Sequence, residues 1–249
     1  MDAKLDYILR IADACLIHGQ RLGEWCGHAP IIEEDIALTN VALDHIGQAR
    51  ALLTLAGEIE GRGRGEDAMA FLRDERDYRN VTMLELPNGD FARTVLRVFL
   101  WASFMKVLCR ALATSSNAQL AAIAAKTLKE VRYHQQHSGD WVVRLGDGTD
   151  ESARRMHDAL NLLWPYAAEW FADDATDAAA QSSGLGPAWS TLKDAWLAEL
   201  QPVFAAANLT PLADTPFRST GKRGVHSEHM GFLLAEMQTL PRSFPGAAW

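Results

Sequence analysis

The chain has 249 residues, 48% apolar and 22% charged, with a formal net charge of −8. That is enough for one large core or two small ones, and the acidic balance argues against a nucleic-acid or anionic-membrane binder. Cys15, Cys26 and Cys109 are scattered and form neither a CxxC nor a disulfide framework. A cytoplasmic protein is therefore expected. MDAKLDYILRIADA carries aspartates at 2, 6 and 13 and lacks the basic and apolar regions of a signal peptide. Stretches such as VFLWASFMKVLC are too short and interrupted to span a bilayer.

Apolar residues recur with helical period along nearly the whole chain, and no run alternates as a strand would. A first helix is expected from about Lys4 to Cys26, ended by GHAP, and a second from about Ile32 to Gly57. A shorter charged helix follows from about Glu66 to Asn80, and ELPNGD is a break. The fourth helix, about Phe91 to Ser115, is apolar round most of its circumference and belongs inside a bundle. A fifth runs from about Asn117 to Leu145. Thr149 starts a sixth, with Ser152 behind it, reaching about Phe171. DDATDAAAQSSGLGP reads as a loop, Pro187 to Ala206 as a helix, 208–224 as irregular and extended, and about 225–240 as a last helix. The expected fold class is all-α. It is a ferritin-like antiparallel bundle with additional C-terminal helices, in one domain over residues 1–249.

KEVRYHQQH (129–137) is the sharpest chemical signal. Glu130, His134 and His137 stand at i, i+4 and i+7, on one helical face. On the second helix Glu33, Asn40, Asp44 and Gln48 share a face with small and apolar residues, which suggests a polar ladder through the core. Ferritin-like carboxylate centres need a Glu from each of two helices and a Glu-x-x-His from each of the other two. No Glu or Asp in this chain has a histidine three residues later: Glu130 meets Tyr133 there, and Asp44 meets Gly47. The fourth helix offers no acid after Asp90. The expected reading is a self-satisfied buried polar cluster with no metal site. Asp44, Glu130, His134 and His137 are the vestigial-site candidates. The alternative is a stand-alone di-iron oxidase or iron-binding protein using those four.

Other signals are weaker. VHSEHMG (225–231) holds His226, Glu228 and His229, with Asp214 upstream, but no cysteine set completes a zinc site, and Ser227 is a plausible N-cap for the last helix. LGDGTDE, with Asp147, Asp150 and Glu151, lacks calcium-loop spacing and reads as a turn and cap. FLRDERDYRN (71–80) reads as a solvated face pairing along its own helix, with a partner-docking surface as the alternative. Arg218, Lys222 and Arg223 form a small basic patch able to meet a phosphate group or an acidic partner.

Taken in order, five blocks resemble the C-subunit (PaaC) family of bacterial phenylacetyl-CoA epoxidases, also called ring 1,2-phenylacetyl-CoA monooxygenases. They are LIHGQRLGEWCGHAPIIEEDIALTNVALDHIGQAR, FLRDERDYRN, ELPNGDFA, AAIAAKTLKEVRYHQQHSGDWVVRLGDGTDES and GVHSEHMGFLLAEMQ. The likeness runs from about residue 5 to 240. It implies a multicomponent enzyme that converts phenylacetyl-CoA to its ring 1,2-epoxide with oxygen and NADPH, through a reductase that holds flavin and an iron–sulfur cluster. It further implies that a catalytic A subunit of similar fold holds the di-iron centre. The C subunit would be a sister without the iron ligands, a non-catalytic structural partner with no cofactor of its own. Its partners would be the A chain, the other epoxidase subunits and, at the level of the complex, the acyl-CoA.

Overall fold

In the computed structural model, residues 2–213 and 216–247 are described here. Among them there are nine α-helices and no strand. The helices are α1 (Ala3–Gly23), α2 (Ile32–Glu60), α3 (Glu66–Phe71), α4 (Phe91–Leu112), α5 (Ala118–Gly146), α6 (Asp150–Leu163), α7 (Ala175–Ser182), α8 (Lys193–Ala206) and α9 (Glu228–Ser243). An isolated bridge joins Thr220 to Val225. No helix among the described residues is long and apolar enough to cross a membrane.

The chain divides into two compact units, residues 1–87 with 219–249, and residues 88–218. In the first, α1 and α2 pack as an antiparallel hairpin: Cys15 reaches Gln48, His18 lies against His45, and Gly19 sits against Ala42 and Ile46. A Cβ at Gly19 would come within 3.2 Å of the Ala42 carbonyl oxygen, so the two backbones owe their close approach to that glycine. Gly61, at φ 69°, ends α2 in the left-handed conformation that glycine adopts without strain. Residues 66–80 do not form one charged helix. They break into α3, a bend, and a one-turn 3₁₀ segment at Glu75–Asp77, because Arg73 and Arg79 turn inward to partners on α1.

In the second unit α4 and α5 form another antiparallel hairpin. Phe91 meets Trp141, Ser103 meets Gln135, and Phe99 lies against Gly139. Asn117 caps α5 through its side chain, and Thr149 with Ser152 forms a capping box at the start of α6. Trp101 and Phe104 of α4 anchor an aromatic core that includes Trp170, Trp189 and Trp196. The indole N–H of Trp196 donates to the Leu100 carbonyl at 3.0 Å. α6 stops at Leu163 because Pro165 forces a 3₁₀ turn over Trp164–Glu169. The small, acidic stretch expected as a loop contains α7, started by an Asp174–Asp177 capping box.

Candidate functional site

The four vestigial-site candidates divide between the units: Asp44 lies on α2 in the first, and Glu130, His134 and His137 lie on α5 in the second. The buried line of α5 runs through Leu120, Ala124, Thr127, Val131, His134, Ser138 and Val142. His134 is on it and fully buried, and Ser138 donates to its backbone carbonyl at 2.5 Å. Glu130 and His137 sit at the edge of that line. Glu130 keeps 23% of its side chain exposed, with Lys126 3.9 Å away. The His137 ring stacks on exposed Tyr133, with centroids 5.7 Å apart. Burial raises the Cys109 thiol to about 12, and the Glu130 charge adds to that. Cys109 is thus held as a thiol, the form that ligates metals poorly.

On α2 the face differs from the one expected. The interior line is Glu34, Leu38, Val41, His45, Gln48 and Leu52, whereas Glu33 and Asn40 are exposed and Asp44 is half-buried. Gln48 Oε1 lies 3.2 Å from His45 Nδ1 and accepts from Cys15 at 3.5 Å. His18 of α1 lies beside His45, with ring centroids 4.8 Å apart. Spacing arguments anchored on carboxylates missed His18 and His45. Their apolar neighbours, Leu16, Ile17, Val41 and Ala49, were the available signal.

The i, i+3 pairs on these interior lines that contain a histidine are therefore His45/Gln48 and Val131/His134. In the pairs read from the sequence, Asp44/Gly47 and Glu130/Tyr133, the second residue is exposed. Neither interior pair contains a carboxylate. Among the described residues no three His, Cys, Asp or Glu side chains gather as a metal-holding group. The donor set does not fit a carboxylate-bridged di-iron centre, which needs acids to bridge two ions.

The buried polar chemistry lies elsewhere. In the second unit, Lys106 of α4 contacts Gln135 of α5 and Glu199 of α8, each at 2.7 Å. Arg110 adds a 2.8 Å contact to Glu199. Burial opposes ionisation of Glu199, but hydrogen bonds from Lys106, Gln135 and Arg110 outweigh it and hold the carboxyl below its ordinary value.

In the first unit, Arg73 makes a two-pronged ion pair with Asp13, both side chains buried, and lies 4.3 Å over the Tyr78 ring. The Arg79 amide donates to Asp13 at 2.8 Å, and its guanidinium to Asp6 at 2.8 Å. Arg10 also pairs with Asp6, at 3.2 Å. Tyr78 donates to the Ala70 carbonyl and accepts from Gln238 of α9. In FLRDERDYRN, Asp74, Glu75, Arg76 and Asp77 are exposed as expected of a solvated face, whereas Arg73 and Arg79 turn inward to α1, which corrects that expectation at those two residues.

Glu85, fully buried, holds the returning segment. His226 Nδ1 lies 2.7 Å from its carboxylate, Asn80 donates at 2.8 Å, and the Ser227 amide at 2.5 Å. His226 Nε2 faces the Tyr78 carbonyl at 3.1 Å. Both ring nitrogens therefore face acceptors, an arrangement for the imidazolium. Burial works against that cation, yet the Glu85 hydrogen bond and charge raise the His226 pKa above its ordinary value. Ser227 precedes α9 as its N-cap residue, without a side-chain capping bond. Lys222 is buried, which removes it from the expected basic patch. Asp214 lies outside the described residues. Arg218 lines a cavity of about 480 Å³ with Lys193, Phe171 and the stacked Trp164 and Trp196.

Long paired helices with polar groups in their interior define an all-α protein of the ferritin-like class. The chain belongs to the phenylacetic acid catabolic protein family, whose model matches residues 1–249. It is 46% identical over 243 residues to the C subunit of the 1,2-phenylacetyl-CoA epoxidase of Escherichia coli (strain K12), covering 98% of each chain.

Proposed function

We propose that this chain is one component of a phenylacetyl-CoA 1,2-epoxidase acting in aerobic phenylacetate catabolism. In this reading it pairs with a catalytic A subunit that holds the di-iron centre, and contributes structure rather than chemistry. The likeness to the Escherichia coli protein, along almost the full length of both chains, supports membership of such a complex. The observation that carries the non-catalytic role is the donor set on the interior lines. Where a di-iron sister would present Glu-x-x-His, α2 presents His45 and Gln48 and α5 presents Val131 and His134. A His–Gln pair and a Val–His pair supply no bridging carboxylate. NADPH, flavin and the iron–sulfur cluster belong, on this reading, to a reductase component, and phenylacetyl-CoA to the complex.

The test is iron content by mass spectrometry, for this chain expressed alone in iron-supplemented medium and for the chain co-expressed with its catalytic sister. The expected result is iron near zero alone and about two per heterodimer. About two irons in the isolated chain would overturn the structural role. A second check uses Glu130→Gln with His134→Gln: the variant is expected to lower thermal stability while the assembled complex keeps its specific activity. Loss of turnover in a fully assembled double variant would count against the reading.

A further inference from the structure

α2 carries a second face that the interior does not use. Ile32, Ile36 and Leu43 are 72%, 57% and 63% exposed. At about 100° per residue they share an arc of about 80° with Thr39 and Gly47, and the line runs about 22 Å along the helix. Single exposed aliphatics are ordinary on a protein surface, but three aligned on one helix make a continuous apolar seam.

Gly47 adds an independent observation. Glycine inside a helix is unfavourable relative to alanine, and a close neighbour usually explains it, as at Gly19. At Gly47 a Cβ would meet nothing within 4 Å, so no steric demand inside the chain requires glycine there. A second backbone arriving from outside would make that demand. The rim of the seam is acidic: Glu33 and Asp44 border one side and Asp35 the other. From Ile32 to Ala49 the helix has Glu33, Glu34, Asp35 and Asp44 and no Lys or Arg; Arg50, which follows on the same face, is paired with Glu66 at 3.2 Å.

We propose that this face of α2 is the docking surface for a different chain, one presenting an apolar helix edge flanked by lysine or arginine. The inference rests on the proposed pairing with the catalytic sister and assigns that pairing a face and a chemistry. Charge complementarity selects the occupant. Two copies of this chain meeting through α2 would set acidic rim against acidic rim, whereas a basic-flanked partner would neutralise both.

The experiment measures binding to an immobilised catalytic A subunit of the phenylacetyl-CoA epoxidase. Wild type is compared with Ile36→Arg/Leu43→Arg, Gly47→Leu and Glu33→Lys, with thermal midpoints recorded for each chain alone. The double arginine variant is expected to bind at least about 100-fold more weakly with an unchanged midpoint, since charges replace buried aliphatics only in the complex. Gly47→Leu should weaken binding at least about tenfold while leaving the free chain no less stable. Glu33→Lys should slow association and reduce its salt dependence. Wild-type binding that the double variant and Gly47→Leu both leave within about threefold would overturn the assigned face alone. Absence of wild-type binding would overturn the pairing itself and this inference with it. A homodimer of the free chain that Leu43→Arg splits would make a second copy the occupant and overturn the proposal.

Discussion

Glu85 and His226 are 141 positions apart in sequence and 2.7 Å apart in space, and two predictions belong to such residues. The folded-state pKa of His226 lies above its ordinary value of 6.5. Its bond to Glu85 therefore contributes stability that is fully present below about pH 6.5 and is lost as pH rises through the raised folded value. Thermal midpoints measured across neutral and mildly alkaline pH should fall for the wild type. His226→Gln should start lower at acid pH and give a flatter profile. The Arg73–Asp13 pair makes a different prediction. Arg73→Met should cost about 3–5 kcal/mol in urea unfolding, because Asp13 is left charged and buried. Adding Asp13→Leu should recover part of that loss. Neither pair was legible in the sequence. FLRDERDYRN has the composition of a solvated run, and only the inward turn of residues 73–80 toward α1 reveals that two of its six charged residues, Arg73 and Arg79, reach interior partners. His226 stood out as a metal candidate because histidine chemistry is local, whereas its acid partner on another segment is not.

At the scale of the element, helices announced themselves and their rotation did not. The long helices of the hairpins lie within a few residues of the periodicity-based expectation, and the Thr149–Ser152 cap of α6 was read directly. α7 escaped because its alanines and serines carry no apolar stripe. The interior faces of α2 and α5 were placed off by a fraction of a turn. Taking carboxylates as the centre of the face drew Glu33, Asn40 and Glu130 inward, and packing puts Glu34, His45 and Val131 there instead. One residue of register is about 100° of rotation, so a candidate site built on acids shifts from helix edge to interior with that single step. The exposed face of α2 gives a clean prediction. Gly47→Ala should stabilise the isolated chain by about 0.5–1 kcal/mol, since helix propensity improves and nothing stands in the way. Chemical denaturation of the two purified chains measures it.

For the whole molecule, family and fold class were legible because long blocks in a fixed order resemble one family along nearly the full chain. Its partition was not, because the breaks at ELPNGD and at 208–224 read equally well as connections within one bundle. One unit is contiguous from 88 to 218, while the other is assembled from 1–87 and 219–249. Truncation after Arg218 should therefore spare the contiguous unit and damage the other: Glu85 loses His226 and Ser227, and Tyr78 loses Gln238. Hydrogen exchange should show protection lost in α1 and α2 and retained in α4 and α5; uniform loss or uniform retention would contradict the partition. The same arrangement bears on biosynthesis. The α1–α2 hairpin leaves the ribosome first, but the buried Glu85 of the same unit waits for a histidine made after the entire other unit. At about 5–20 residues per second the gap is about 7–28 s, during which the first-made half of the protein is the unfinished one. A chaperone that engages this chain during translation should therefore be found on its N-terminal hairpin, and should leave as the segment around His226 emerges.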